Sequence, residues 1–278
     1  MVYIGAHISR EKTLIETLNK IKENGGNALQ IFVSNPRSIQ VRKLNEKFIN
    51  DTKEIKNYLN INDFKLVIHS PYTINISNVG TLGIMGLNLI IHELIIANDI
   101  GAVGCVIHVG KYKDNKEIGI LNMKSNITFI INKIIELKLN SKLIIETSSG
   151  QGNELLFNYQ EFLDFYNSFS SKQKKYLKIC IDTCHVWASG YRLMDIYEIT
   201  NKNKNLNDIS VIQINNSKNP INSHLDRHNP IGIGYIPVQE IIKFIEVLKK
   251  ANPNVIVILE TPGVKLKNEL RLINNSYI

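Results

Sequence analysis

The sequence predicts an α/β chain forming one domain over residues 1–278, a single-domain (β/α)8 TIM barrel. Two observations carry that prediction. Eight short apolar runs rich in β-branched residues recur along the chain: 2–8, 29–33, 66–69, 105–109, 143–147, 179–183, 211–215 and 255–261. Longer segments of helical spacing lie between most of them, such as EKTLIETLNKIKEN (11–24) and VQEIIKFIEVLKKA (238–251). Strands alternating with helices imply a parallel sheet, and eight units suit a closed barrel, with an open doubly wound sheet as the alternative.

The ends of the runs say where chemistry belongs. Six end in a titratable residue: His7, His69, His108, Glu146, Asp182 and Glu260. The other two lead into SNPR (34–37) and QINNSK (213–218). In a barrel all these ends face one mouth, where side chains from different strands meet. Alternation places Ile256, Ile258 and Glu260 on one face, so Glu260 tops a column of core residues. A lone strand-end histidine is usually a packing residue, but six ionisable groups on six strand ends are not explained by packing.

Carboxylates gathered there repel one another unless they are protonated or bind cations, and interleaved imidazoles favour cations such as zinc. Asp226 and His228 in SHLDRHNPIGIG (223–234) are two residues apart and face the same way in an extended segment. Asp182 and His185 are three apart across a strand-to-loop turn. Glu146, Asp182, Asp226 and Glu260 supply four negative charges, against six positive from three divalent ions. The balance attracts a phosphodiester and lowers the pKa of a bound water towards about 7. Cys180 shares a strand face with Asp182 but lies deeper and reads as core, and C-x3-C in 180–184 is not the usual redox spacing.

Composition bounds the remainder. Hydrophobic residues make up 44% and charged residues 21%, enough for a substantial core. Three cysteines do not make a disulfide framework, and the first residues lack a signal peptide's pattern, so a soluble intracellular protein is expected. The apolar stretch 84–100 carries His92, Glu93 and Asn98 and reads as a buried helix, with His92 as a core histidine. The formal charge is +8, and lysines and arginines gather in 37–43, 111–116, 172–178 and 201–205. It fits a solvated surface or one that draws polyanions, and composition does not choose. His224 reads as a loop residue and Trp187 as packing beneath the loop that follows Asp182.

YIGAHIS, IDTCHVWASGY (181–191), DRHNPIGIG (226–234) and ILETP (258–262) occur in order, and the chain resembles the endonuclease IV family of apurinic/apyrimidinic endonucleases. The resemblance implies a TIM barrel with three zinc ions. It implies DNA repair by cleavage 5′ to abasic sites, leaving a 3′-hydroxyl and a 5′-deoxyribose phosphate, with 3′-repair diesterase activity a further expectation. His69, His108 and Glu146 would hold the first ion; Glu146, Asp182, Gln213 and Glu260 the second; His185, Asp226 and His228 the third. Glu146 and Glu260 would act as catalytic carboxylates orienting the attacking water. Gln213 departs from the family, which has histidine there, and Asn216 replaces an aspartate, so the second ion is expected to bind less tightly or to be manganese or magnesium. Asn35, Arg37, Tyr72 and Thr73 would contact duplex DNA, with Arg37 entering the base stack and Tyr72 wedging beside the lesion. Thr73 is smaller than the family's usual residue and fills less of the gap. The partner is DNA bearing abasic sites, bound by a monomer with no membrane role.

Two rivals remain. A sugar isomerase or epimerase of the xylose isomerase-like superfamily would use Glu146, Asp182 and Glu260 around one or two metals. A weakened DNA-binding relative would bind abasic DNA without metal-dependent nicking.

Overall fold

The computed structural model describes residues 3–41, 46–262 and 266–275, with residues 46–50 and 275 described by backbone alone. Eight parallel strands close into a barrel: β1 (Tyr3–His7), β2 (Ala28–Ile31), β3 (Lys65–His69), β4 (Gly104–His108), β5 (Lys142–Glu146), β6 (Leu177–Asp182), β7 (Ile209–Ile214) and β10 (Ile256–Leu259). Each neighbours the next, and β10 pairs with β1 to close the ring. A two-residue ladder, β8 (Asn216–Ser217) with β9 (His228–Asn229), sits beyond β7. The open-sheet alternative is thereby excluded.

The helices form the outer layer. They are α1 (Leu14–Glu23), α2 (Glu46–Ile61), α3 (Gly80–Ile100), α4 (Lys116–Glu136), α5 (Tyr159–Asn167), α6 (Thr183–Ala188), α7 (Leu193–Lys202), α8 (Val238–Ala251) and α9 (Leu266–Asn275). The 238–251 helix falls where its apolar spacing places it. Helix α3 is long and apolar enough to cross a membrane by length and composition, yet Ile90, Leu94, Ile96, Ala97 and Ile100 are buried in the main core. It covers β3 and β4. His92 is only half-buried, and the fully buried ionisable group of α3 is Glu93, one residue on.

Alternation splits the apolar residues into two cores. Outward residues of the strands pack under the helices. Inward residues Ala28, Val67, Val106, Ile144, Cys180, Val211, Ile256 and Ile258 fill the barrel and close its floor. Gly5 marks a tight point between β1 and β2, since a Cβ there would lie 1.5 Å from the Ala28 carbonyl oxygen. Above the dry floor the inward positions turn polar.

Candidate metal centre

That polar layer is built from the last residues of the strands. Glu146 ends β5 and is 1% exposed, with its carboxylate among three imidazoles. His69 Nε2 lies 3.2 Å and His108 Nε2 3.4 Å from Glu146 Oε2, while His185 Nδ1 lies 3.0 Å from Oε1. His185 Nε2 then faces Asp226 Oδ2 at 3.2 Å, and His228 Nε2 lies 3.0 Å from Asp226 Oδ1. Ligand atoms of His69, His108 and Glu146 all fall within 4.8 Å of one another, as do those of His185, Asp226 and His228, and those of Glu146, Asp182 and His185.

Local structure aims these groups. Asp182 ends β6 and caps α6, its Oδ1 accepting from the His185 backbone N–H at 2.9 Å. One side chain thus starts the turn that presents His185. Asp182 Oδ2 accepts from Asn215 Nδ2 at 2.7 Å and lies 3.6 Å from His228 Nε2. His69 Nδ1 donates to the Ser70 carbonyl at 2.7 Å, and His185 Nδ1 to that of Thr147 at 2.8 Å, which leaves Nε2 of each as the nitrogen that could ligate a cation. The loop after β5 holds the Asp226–His228 segment: Gln151 Oε1 accepts from the Asp226 N–H and from Arg227 Nη1.

The charges interlock. Burial alone would raise the Glu146 pKa, but His108, His185 and His69 hold it well below the usual carboxylate range. Burial likewise opposes protonation of His69 and His228, yet Glu146 carries the first to about 9, and Asp182 and Asp226 carry the second to about 9. His108 is lowered by burial and by its imidazole neighbours, against the pull of Glu146. The donor set fits divalent cations: His228 Nε2 is buried without a well-formed hydrogen bond, although two carboxylates face it. Neutral imidazole with carboxylate is the donor chemistry of zinc.

The fourth corner differs. Glu260 sits above β10, and its Oε1 accepts from Gln213 Nε2 at 3.0 Å and from Gln30 Nε2, with His7 Nδ1 also 3.0 Å away. Gln213 Oε1 accepts the thiol proton of Cys180, 3.1 Å away. Among the described residues Glu260 belongs to none of the ligand groups, and Gln213 turns its nitrogen, not its oxygen, towards the mouth.

The mouth is a cavity of about 730 Å3, with Glu146, His185, Asp226, His228 and Glu260 in its wall. Arg10, Lys218 and Arg227 also line it. Tyr72 stands at the rim, 59% exposed, its ring 5.0 Å from that of Phe32 and 5.9 Å from those of His69 and His108. Thr73 beside it is exposed. Asn35 Oδ1 accepts from the Arg37 N–H at 2.9 Å, so it shapes the loop, and Arg37 is exposed next to Pro36, which lines the cavity. Arg42 and Lys43 of that loop lie outside the described residues.

The xylose isomerase-like TIM barrel family model matches residues 18–275. A relative from Mycoplasma capricolum, named probable endonuclease 4, is 31% identical over 274 residues, covering 96% of this chain and 92% of its own. The chain belongs to the endonuclease IV family. Among solved structures, endonuclease IV from Thermus thermophilus superposes with a TM-score of 0.82 at 21% identity, over 99% of this chain and 98% of that one. A D-tagatose 3-epimerase-like protein superposes at 0.71 and 16% identity, over 99% and 100%, so the barrel itself is shared with epimerases.

Set beside this endonuclease IV barrel, the sequence expectations divide. His69, His108, Glu146, Asp182, His185, Asp226 and His228 converge. Gln213 and Glu260 form a hydrogen-bonded corner instead. His7 contacts Glu260 and Trp187 Nε1 donates to the Asn219 carbonyl. His224 is a loop residue whose Nδ1 lies 3.2 Å from the Ser149 carbonyl. Sequence reasoning missed Gln30, Asn215 and Gln151; of these only Gln30 gave a signal, as the lone polar residue inside a buried four-residue strand.

Proposed function

We propose that this protein is a soluble, intracellular, metal-dependent phosphodiesterase of DNA repair that cuts duplex DNA on the 5′ side of abasic sites, leaving a 3′-hydroxyl and a 5′-deoxyribose phosphate. One observation carries the reading: two imidazole–carboxylate clusters meet at the Glu146–His185 contact, in a mouth rimmed by Arg10, Lys218 and Arg227.

His69, His108 and Glu146 would hold one zinc ion, and His185, Asp226 and His228 another, with Asp182 beside the second. Bound there, such cations neutralise phosphate oxygens and acidify water. The chain's own groups do the positioning. Lys218 and Arg227 attract the backbone phosphates, and Arg37 and Tyr72 enter beside the lesion. An abasic nucleotide has no base to unpair, so turning it into the mouth is cheap. Glu146 orients the reacting water from a site where its own protonation is suppressed. Glu260 Oε1 is already occupied by donors, so a proton from that water is accepted at Oε2. The apolar floor of Val106, Ile144 and Cys180 keeps bulk water out from below.

The epimerase reading explains the fold but not the second cluster of His185, Asp226 and His228. The deciding experiment offers zinc-loaded protein a duplex with one tetrahydrofuran abasic analogue. A single nick 5′ to the analogue, abolished by chelator, is expected. Intact DNA together with epimerisation of a ketohexose would reverse the assignment, and chelator-insensitive binding without nicking would mark a weakened relative.

A further inference from the structure

We propose that this chain holds two metal ions, and that the place of a third is taken by a hydrogen-bonded corner in which Gln30, Gln213 and His7 fix Glu260. The role given to Glu260 rests on the nuclease reading above; the ion count does not.

The carboxamide of Gln213 is the deciding group. A glutamine ligates a cation through its oxygen, because the amide nitrogen has no available lone pair. One end of this amide lies 3.0 Å from Glu260 Oε1, and a carboxylate can only accept, so that end is the NH2 group. The other end lies 3.1 Å from Sγ of Cys180, a fully buried thiol, and must be the oxygen that accepts its proton. Both neighbours demand the same orientation. The oxygen therefore points down among the apolar floor residues, away from the mouth.

Gln30 locks the arrangement. It is fully buried on β2, donates to Glu260 Oε1 through Nε2, and accepts from Gln213 Nε2 at 3.4 Å through Oε1. The two amides brace each other across the barrel and present N–H groups, the positive ends of their dipoles, where a cation would sit. Turning Gln213 over would set its oxygen against the carboxylate, two acceptors face to face, and leave only a weak N–H···S contact at the thiol.

The other candidate ligand is drawn elsewhere. Asp182 Oδ1 caps α6 and Oδ2 lies between Asn215 and His228, on the side of the His185–Asp226–His228 cluster. Glu146 is shared by His69, His108 and His185. Two further groups remain among the described residues, Glu146–Asp182–His185 and Asp182–Cys184–His228, but each borrows a ligand from the first two clusters, so once Glu260 is a hydrogen-bond acceptor no independent set of three is left for a third ion. Gln30 and Gln213 are positioning residues: they hold Glu260 still without touching substrate, replacing with fixed dipoles the charge that an ion would have provided.

The test counts metal. Chelator-stripped protein is reloaded separately with zinc and with manganese, desalted, and its metal measured per chain by elemental analysis and native mass spectrometry. Two ions are expected in the wild type, and three in the Gln30→Ala, Gln213→His double variant, where the amide brace is gone and an imidazole replaces it. Any other count in the wild type, with either metal, overturns the proposal, as does a folded double variant that stays at two. If the double variant fails to fold, the wild-type count decides alone. Nicking of abasic DNA is followed in parallel: three ions with nicking sinks this inference and leaves the nuclease reading, whereas two ions without nicking does the reverse.

Discussion

Glu146 and His185 lie 3.0 Å apart, carboxylate oxygen to Nδ1, and this contact joins the two donor clusters of the mouth. A ligand that links two clusters couples them, so damage to one loosens both. Replacing Glu146 with glutamine removes the charge that three imidazoles face while keeping the shape. Zinc at about a thousandfold above its Kd stabilises a protein by about 4 kcal/mol, or roughly 10 °C in Tm at this size. That gain is expected in the wild type on reloading after chelation and to fall by more than half in Glu146→Gln. Cleavage should drop at least ~100-fold, the scale of losing a preorganised charge-stabilising group. Melting curves with and without zinc check the first claim, and an unchanged zinc-dependent shift refutes it.

The partner that orients a ligand matters nearly as much as the ligand. Asn215 Nδ2 donates to Asp182 Oδ2 at 2.7 Å, holding the carboxylate that faces His228 at 3.6 Å. Such outer contacts commonly change metal affinity by about 10–100-fold. Asn215→Ala is expected to weaken zinc binding by that factor, read by competition with a chromophoric chelator. Unchanged affinity in a folded variant would mean that the Asp182 cap on α6 is orientation enough.

The barrel and most of its mouth are legible in the sequence because they rest on local periodicity. A strand buried on both faces reads as an apolar run, and its last inward residue is fixed by alternation, which is how His69, His108, Glu146 and Asp182 stand out. The Glu260 corner is different in kind. Gln30 and Gln213 are 183 residues apart, and no spacing rule joins one buried amide to another. Helix α3 shows another limit: it is apolar on nearly every side, so pattern alone does not set its rotation. One residue is about 100° of turn. That rotation is the difference between His92, half-buried, and Glu93, fully buried.

Glu93 itself carries a pH signature. Its Oε2 accepts from the Cys105 thiol at 3.6 Å, while Oε1 is buried without a well-formed hydrogen bond. Burial raises its pKa to about 7 from 4.5, against the lowering pull of Ser34 and Cys105. The folded state thus binds the proton more tightly than the unfolded chain, so this residue's contribution to stability is lost as pH rises from about 4.5 to about 7. The shift corresponds to on the order of 3 kcal/mol. Glu93→Gln removes the charge and should be the more stable protein at pH 8, with little advantage at pH 4.5. Denaturant unfolding at the two pH values measures this, and parallel stability curves for both proteins would dismiss it.

Under the proposed function, Tyr72 meets DNA with its ring. The ring is held edge-on by Phe32 at a centroid distance of 5.0 Å and leaves 59% of the residue exposed at the rim. Stacking on such a platform is worth about 1–3 kcal/mol per base by alanine substitution. Tyr72→Ala is therefore expected to weaken binding to abasic duplex by about 10–100-fold, and Tyr72→Phe by less than about twofold. Thr73→Leu, which enlarges the neighbouring wedge, should tighten binding to abasic duplex but not to intact duplex. Fluorescence anisotropy on the two duplexes reads all three variants, and equal effects on both would place Tyr72 outside lesion recognition.

Lys218 and Arg227 are tied by a backbone hydrogen bond of 2.9 Å, and both side chains are exposed on the cavity wall. Their duties differ. Arg227 Nη1 also donates to Gln151 Oε1, which receives the Asp226 N–H as well, so Arg227 helps to seat Asp226. Each phosphate neutralised on duplex DNA adds about 0.9 to the slope of log affinity against log salt. Lys218→Ala should reduce that slope by about one and leave zinc affinity unchanged. Arg227→Ala should reduce the slope by a similar amount and weaken zinc binding too, because the Asp226–His228 segment loses its brace. Binding isotherms at a series of salt concentrations, with zinc competition alongside, separate the two residues. A Lys218 variant whose slope matches the wild type would remove this rim from the DNA path.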